Sequence, residues 1–217
     1  MKADLHIHTT YSDSSGTPQQ VVDEAIKKGI SCICITDHEI IDGAIEALKY
    51  GFDKDILIIP GVEATSKSGD VLGINVKKGV PNGLTTEETI KRIKDQGGIA
   101  VIPHFFAFFQ DRFRGDNFYK ADAMEIFNSS LSFERNNRAQ KIQEKHNMAF
   151  TAGSDAHAAR FVGRAYLEIP DIKTERDVID AIIEKKGKVF GNPLNIFELS
   201  FALRGRVRYL FTKKRGR

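Results

Sequence analysis

Short apolar runs alternate with amphipathic helical patterns along almost the whole chain. This alternation is typical of repeated β–α units and predicts a mostly parallel sheet covered by helices. The predicted strands are residues 3–8, 31–36, 56–63, 71–76, 99–104, 123–127, 149–153, 165–169 and 188–190. The pattern therefore indicates an α/β fold, either a single barrel or an open doubly wound sheet.

Capping signals mark where several of the predicted helices begin. Thr17 followed by Pro18 supplies an N-cap and a proline at the first helical position. Thr85 and Glu88 have the spacing of a capping box. The predicted helices cover residues 17–29, 85–97, 134–147, 174–186 and 194–211.

The composition is that of a soluble globular protein. Hydrophobic residues make up 41% of the 217 residues and charged residues 28%, which excludes a disordered or collagen-like chain. A chain of this mass buries about 70% of its unfolded surface, enough for one domain with a substantial core. No apolar run approaches the roughly 20 residues of a membrane span, so no membrane partner is expected. Two cysteines and the charged N-terminal residues predict a reduced, cytoplasmic location.

Histidines and carboxylates gather at the ends of the predicted strands. His6 and His8 are two residues apart on one strand, so both imidazoles face the same side of the sheet. Asp155 and His157 repeat this spacing after another apolar run. Burying two unpaired imidazoles is costly and imidazole is the commonest metal ligand, so the spacing favours a metal site over two structural histidines.

Three further strands end in residues that bind metals. His38 follows one of these predicted strands, and Glu63 and His104 end the other two. Five of the six histidines therefore lie at strand ends, and only His146 does not. The carboxyl ends of the strands of a parallel barrel meet on one face, where active sites are built. We therefore predict a multinuclear metal centre on that face.

These motifs resemble the PHP (polymerase and histidinol phosphatase) family. The resemblance rests on Asp4-Leu5-His6-Ile7-His8-Thr9, Tyr11-Ser12-Asp13, Thr36-Asp37-His38, Gly61-Val62-Glu63, Pro103-His104 and Gly153-Ser154-Asp155-Ala156-His157, in this order. It implies a single distorted (β/α)7 barrel over residues 1–217, with the metal site at the C-terminal ends of the strands. It also implies a stand-alone, TIM-like hydrolase domain that acts on phosphate esters.

The resemblance further implies which residues bind two or three divalent metal ions. His6, His8, Glu63 and Asp155 would bind the first ion, and Glu63 would bridge to a second ion that also contacts His104. Asp13, His38 and His157 would bind the third ion. The predicted catalytic residues are His6, His8, Glu63, Asp155 and His157.

Two of the candidate ligands are ambiguous in the sequence. Asp13 lies in a Tyr-Ser-Asp-Ser-Ser-Gly stretch, where an aspartate often only caps a turn, although the resemblance favours ligation. Many family members carry a histidine where this chain has Asp70, so ligation and a turn role are both open there. Carboxylates at these positions favour Mn²⁺, Mg²⁺ or Fe²⁺ relative to Zn²⁺, and the identity of the metal stays open.

The expected activity is a metal-dependent phosphoesterase, because clustered divalent ions neutralise phosphate oxygens and activate a water molecule. The expected substrate is a nucleotide or another small phosphorylated metabolite. The alternatives are a 5′–3′ exonuclease on short oligonucleotides, a non-catalytic metal-binding scaffold, and a nucleic-acid-binding module. Arg160 and Arg164 follow the last motif and could bind the phosphate, but ordinary loop solvation explains them equally well.

Two other segments bear on the partner. Residues 105–119 are rich in phenylalanine with interleaved arginines, and could stack nucleic-acid bases or pack as a lid or dimer contact. Residues 204–217, the basic tail, contain seven basic residues and no acidic ones. Such a tail attracts polyanions, although many tails of this kind are only solvated. The oligomeric state is not predicted.

Overall fold

The chain folds around one strongly curved sheet. A computed structural model describes residues 1–106, 116–170 and 173–200. Its strands are β1 (Lys2–Ile7), β2 (Cys32–Ile35), β3 (Leu57–Ser66), β4 (Gly69–Ile74), β5 (Ile99–Ile102), β6 (Ala123–Asn128), β7 (Ala149–Gly153), β8 (Ala165–Glu168) and β9 (Lys188–Gly191). Its α-helices are α1 (Pro18–Lys27), α2 (Asp42–Tyr50), α3 (Thr86–Lys94), α4 (Phe133–His146) and α5 (Glu175–Ile183). Each of the nine predicted strands is present.

The sheet is a nearly closed barrel. The strands pair in the order β7-β6-β5-β4-β3-β2-β1-β8-β9. The chain just after β7 returns to β1, where Asp155 N donates to His6 O at 2.8 Å and Ile7 forms a parallel bridge with Ala156. These contacts confirm the predicted barrel and not the alternative of an open sheet. The nine described strands do not divide into seven regular β–α units.

The sheet is more mixed than the alternating pattern predicts. Four pairings are parallel, namely β1–β2, β2–β3, β5–β6 and β6–β7. Within the described ranges the other four, β1–β8, β3–β4, β4–β5 and β8–β9, are antiparallel. Only Lys67 and Ser68 link β3 to β4, which is too short for a parallel crossover. Hydrophobic periodicity carries no information about strand direction, so this feature was not predicted.

The capping signals correctly located α1 and α3. The Thr17 side chain accepts from Gln20 N, and Thr85 forms the predicted capping box with Glu88. Helix α2 was not among the predicted helices, and its N-cap residue Ile41 makes no side-chain capping hydrogen bond. Of the helix predicted over 194–211, residues 196–200 are helical and the remainder lies outside the described residues. Among the helices that the structure describes, none has the length and apolar character to cross a bilayer.

The alternation of side chains along β2 separates two parts of the core. Cys32 and Cys34 are fully buried in a cluster with Leu5, Leu72 and residues of α5. Ile33 and Ile35 pack in another cluster with residues of α1 and α2. The two cysteines are therefore core residues, as predicted.

Candidate metal centre

Nine side chains with metal-binding atoms meet at one end of the barrel. They are His6, His8, Asp13, His38, Glu63, Asp70, His104, Asp155 and His157, the full set of predicted ligands. They form five overlapping groups of three, and within each group the ligand atoms lie within 4.8 Å of one another. Five imidazoles and four carboxylates thus converge from strands and loops that are distant in sequence.

Two of these residues have a strained backbone that turns their side chains toward the cluster. His104 has φ of 27° and Asp155 has φ of 52°, in the left-handed region that non-glycine residues rarely adopt. Such a conformation costs of order 1–3 kcal/mol and persists only where the surroundings fix it. His104 N donates to Glu125 Oε2 at 2.9 Å, and Asp155 N is held by β1. Glu125 therefore holds the end of β5 from outside the cluster, and the backbone of β1 holds Asp155.

The first set of donors has the spacing of a coordination shell. His6 Nε2 and His8 Nε2 are 3.2 Å apart. Glu63 Oε2 lies 3.7 and 3.3 Å from these two nitrogens, and Asp155 Oδ1 lies 3.5 and 3.3 Å from them. A tetrahedral ion with ligand bonds of about 2.1 Å has edges of about 3.4 Å. Each of the two carboxylate oxygens therefore lies at a coordination-like distance from both imidazole nitrogens.

Glu63 connects this set to a second one. Its other oxygen, Oε1, lies 2.9 Å from His104 Nε2, and both residues group with Asp70. Asp70 is 3% exposed, and neither of its carboxylate oxygens has a hydrogen-bond partner. Burial and the charge of Glu63 raise the pKa of Asp70. Because an unpaired buried carboxylate is costly, the orphaned oxygens fit a position where a cation binds.

A third set surrounds Asp13. Asp13 Oδ2 lies 3.4 Å from His38 Nε2 and 3.1 Å from His157 Nε2. Burial would raise the pKa of Asp13, but His157 and His38 hold it well below its usual range. The side chain is buried among imidazoles, so the turn role considered for Asp13 does not describe its surroundings. Nitrogen and carboxylate donors together suit Mn²⁺, Fe²⁺ and Zn²⁺.

The carboxylates raise the proton affinity of the imidazoles in the metal-free protein. Burial and the nearby His157 lower the pKa of His8, but hydrogen bonds with Asp155 and Glu63 raise it to about 9. Burial also lowers the pKa of His157, but the charges of Asp13 and Asp155 raise it to about 9. Metal ions bind neutral imidazole, so metal binding at neutral pH must release protons.

The metal-free protein is expected to lose stability as the pH rises from 6.5 to about 9. In this interval His8 and His157 stay protonated in the folded state but become neutral in the unfolded chain, whose histidine pKa is about 6.5. The folded state then binds more protons, so its stability falls with increasing pH. Urea unfolding with a chelator at several pH values measures this trend. A constant or rising stability of the chelated protein would contradict it, whereas the metal-loaded protein should show no such decline.

Glu125 was not predicted from the sequence and supports the cluster from behind. Glu125 lies in β6, is 2% exposed, and accepts a hydrogen bond from His6 Nδ1 at 3.0 Å. A lone acid in the otherwise apolar run Ala-Met-Glu-Ile-Phe was the available signal. Ser130, after β6, donates to Asp155 Oδ2 at 2.5 Å and was also missed.

The two arginines predicted to bind phosphate line different clefts, and none of the nine cluster residues lines either of them. Arg160 is exposed and lines a cleft of about 580 Å³ together with Ser15 and Ala158. Arg164 lines a cleft of about 540 Å³ together with Ser130. Its Nη2 donates to Glu198 Oε2 at 3.1 Å, which ties it to the C-terminal segment. A phosphate-binding role stays a prediction for both.

The aromatic segment is only partly described. Phe105 packs edge-to-face against Phe118, whose ring also meets His146, and the guanidinium of Arg138 lies 4.2 Å from the Phe106 ring centroid. Phe105, Phe106 and Phe118 therefore pack against the protein, whereas Tyr119 is exposed. Residues 107–115, which include Phe108, Phe109, Arg112, Phe113 and Arg114, lie outside the described residues, as does the basic tail.

Part of the chain matches a known protein family. Residues 133–187 match the PHP-associated family PHP_C. An uncharacterised protein of Methanocaldococcus jannaschii is 37% identical over 142 residues, which cover 59% of this chain and 82% of that protein.

Two further relatives match over shorter stretches. The phosphoribosyl 1,2-cyclic phosphate 1,2-diphosphodiesterase of Eggerthella lenta is 30% identical over 87 residues, or 37% of this chain and 33% of that enzyme. The 5′–3′ exoribonuclease of Haemophilus influenzae is 29% identical over 104 residues, or 46% of this chain and 38% of that enzyme.

The barrel also matches solved structures. One is a two-domain protein of Bacteroides vulgatus that contains a predicted PHP-like metal-dependent phosphoesterase. The TM-score is 0.73 at 18% identity, and the match covers 96% of this chain and 69% of that one. At this identity the match shows a shared fold.

Proposed function

Because the chain belongs to the PHP family, we propose that it is a metal-dependent phosphoesterase with a multinuclear centre. The observation that carries the proposal is the coordination-like spacing of His6, His8, Glu63 and Asp155, with Glu63 turned toward a second donor set. All nine predicted ligand positions carry residues with donor atoms, which disfavours a scaffold that has lost its catalytic ligands.

The nine residues would hold two or three divalent ions. Bound ions of this type neutralise phosphate oxygens and lower the pKa of a water molecule toward about 7, which supplies a nucleophile at neutral pH. Glu63 would bridge the first two positions, and Asp13 would anchor the third between His38 and His157. Carboxylates at Asp13 and Asp70 favour Mn²⁺, Mg²⁺ or Fe²⁺ relative to Zn²⁺.

The substrate would approach from the side of His38, His104 and His157. These three imidazoles retain about a tenth of their side-chain exposure, whereas those of His6 and His8 have none. The rim is therefore formed by these three imidazoles together with Asp155, whose side chain is 9% exposed. The clefts that contain Arg160 and Arg164 are lined by Ala158 and Ser130, which follow His157 in sequence and bond to Asp155 respectively, and would receive the rest of the ester.

The substrate class that we favour is a phosphate ester of ribose, in a nucleotide or a similar small metabolite. The relatives from Eggerthella lenta and Haemophilus influenzae carry names that refer to a phosphoribosyl cyclic phosphate and to a ribonuclease. The second of these names supports a 5′–3′ exonuclease on short oligonucleotides as the alternative.

Product analysis separates the two candidates. The Mn²⁺-loaded protein is incubated with a short 5′-phosphorylated RNA and with a panel of nucleoside and ribose phosphates, with and without a chelator. Release of inorganic phosphate alone from the small esters supports the phosphomonoesterase. Stepwise release of mononucleotides supports the exonuclease. The absence of any chelator-sensitive product from both substrate classes would overturn the proposed function.

A further inference from the structure

Glu125 is buried behind the metal cluster, and both of its carboxylate oxygens have hydrogen-bond partners. Its Oε1 faces His6 Nδ1 at 3.0 Å. Its Oε2 accepts from His104 N at 2.9 Å and from Asn128 Nδ2 at 2.8 Å. The contact with Oε1 occupies His6 Nδ1, where an ionised carboxylate accepts the hydrogen bond that the ring N–H donates.

This contact fixes which ring nitrogen of His6 is available to a metal. With the proton on Nδ1, the lone pair of a neutral imidazole is on Nε2. His6 Nε2 is the atom that faces His8, Glu63 and Asp155 at 3.2 to 3.7 Å. A buried carboxylate behind a histidine orients the ring, sets its tautomer and strengthens it as a ligand.

The other oxygen of Glu125 acts on the second donor set. It holds the backbone N–H of His104, where φ is 27°, and thereby stabilises a conformation that a histidine rarely adopts. Asn128, which donates to the same oxygen, is itself clamped by Asn136 from α4, since Asn128 N donates to Asn136 Oδ1 at 2.9 Å. Glu125 therefore links the ends of β1 and β5 through a side chain that is itself anchored.

Strand β7 packs closely against this contact. A Cβ atom added at Gly153 would lie 2.3 Å from His6 Cβ and 2.9 Å from Glu125 Oε1. The glycine therefore allows β7 to approach both residues where they meet. The contact lies among buried groups.

We propose that Glu125 is a positioning residue that presents His6 Nε2 to the first metal and holds His104 for the second. The inference rests on the proposed metal centre but not on the phosphoesterase reaction. Its effect should appear in metal affinity, because loss of such a supporting partner typically weakens metal binding by about 10–100-fold.

The isosteric substitution Glu125→Gln isolates this role. Glutamine offers one oxygen, whereas Glu125 receives donors on both of its oxygens. The amide NH₂ must therefore face either His6 Nδ1 or the pair of donors at His104 and Asn128. The matched control is Glu134→Gln, an exposed glutamate in the first turn of α4.

The first experiment titrates the metal-free proteins with Co²⁺ and follows its visible absorption, which needs no substrate. Glu125→Gln should bind Co²⁺ about 10–100-fold more weakly than wild type, while Glu134→Gln should be unchanged. In hydrolysis assays, the metal concentration for half-maximal rate should rise by the same factor, with KM for substrate little changed at saturating metal. Wild-type affinity in a folded Glu125→Gln protein would overturn the proposal.

A second measurement uses the wild-type chain, so it does not depend on the folding of the variant. In Zn²⁺-loaded, ¹⁵N-histidine-labelled protein, the Nδ1 of His6 should carry a strongly deshielded proton and the Nε2 should show the metal-induced shift. Ligation of His6 through Nδ1, or no ligation, would overturn the proposal. His6 ligation through Nε2 without any phosphoesterase activity would leave the positioning role intact and reject the proposed function alone.

Discussion

The substitution Asp155→Asn is expected to lower kcat for phosphate-ester hydrolysis by about 10³-fold or more while the chain remains folded. Asp155 Oδ1 is one of the four donors of the first set, 3.3 Å from His8 Nε2. The Lewis-acid contribution of a bound ion is worth several kcal/mol, and each 1.36 kcal/mol is a factor of ten in rate. Asparagine keeps the volume and one oxygen but removes the charge that binds the cation. Initial rates at saturating Mn²⁺, with metal content measured in parallel, test the expectation.

Asp53→Asn provides the matched control. Asp53 is an exposed aspartate between α2 and β3, so the same change of charge is made away from the cluster. It should leave both kcat and metal content unchanged. If Asp155→Asn retained the wild-type rate, the activity would belong to a contaminant or to a site that does not include Asp155.

Most of the cluster could be predicted because short spacings in the sequence identify its residues. His6 and His8 share a strand face, and Asp155 and His157 repeat the spacing, so the period of two already places each pair together. The rule that strand ends converge in a barrel then brings the pairs into contact. The sequence left both ligation and a turn role open for Asp70, because a single aspartate after a glycine has no periodic partner. Its burial, with no hydrogen-bond partner on either oxygen, disfavours the turn role.

Glu125 could not be predicted because its importance depends on a contact between residues 119 positions apart. A single acid in an apolar strand has no spacing that identifies a partner, and it reads equally well as a solvent-facing residue of a half-buried strand. The antiparallel pairings were missed for a related reason. Apolar periodicity reports which side chains are buried, whereas direction is decided by connections such as the two-residue link after β3.

Helix α2 was not predicted because no local signal marks its start. Its N-cap position is occupied by Ile41, so no polar side chain marks the start of the helix. The helix is held by burial of Ala44 and Ala47 against the core that surrounds α1 and β2. Tertiary packing thus supplies what the local sequence lacks. Arg164 likewise pairs with a residue distant in sequence, Glu198, and its phosphate-binding role stays a prediction.

Metal binding is expected to raise the melting temperature of the wild-type protein by about 5–10 °C. A ligand present at 100 times its Kd stabilises the folded state by about 2.7 kcal/mol, and each kcal/mol shifts Tm by about 2–4 °C for a chain of this size. Thermal unfolding in a chelator and in Mn²⁺ measures the shift. The variant Asp70→Asn makes this experiment most specific, because the sign of its effect on Tm should depend on whether the metal is present.

In a chelator, Asp70→Asn should melt at or above the wild-type temperature, because it replaces a buried carboxylate whose two oxygens lack hydrogen-bond partners with a neutral group. In Mn²⁺ the same variant should melt below wild type, because it has lost a donor beside Glu63 and His104 and gains less from the ion. A purely structural aspartate would instead lower Tm equally under both conditions, and that outcome would exclude Asp70 from the metal centre. If Asp70 is a metal ligand, the difference in Tm between Asp70→Asn and wild type should change sign between chelator and Mn²⁺. A residue retained for folding would give a difference of the same sign under both conditions.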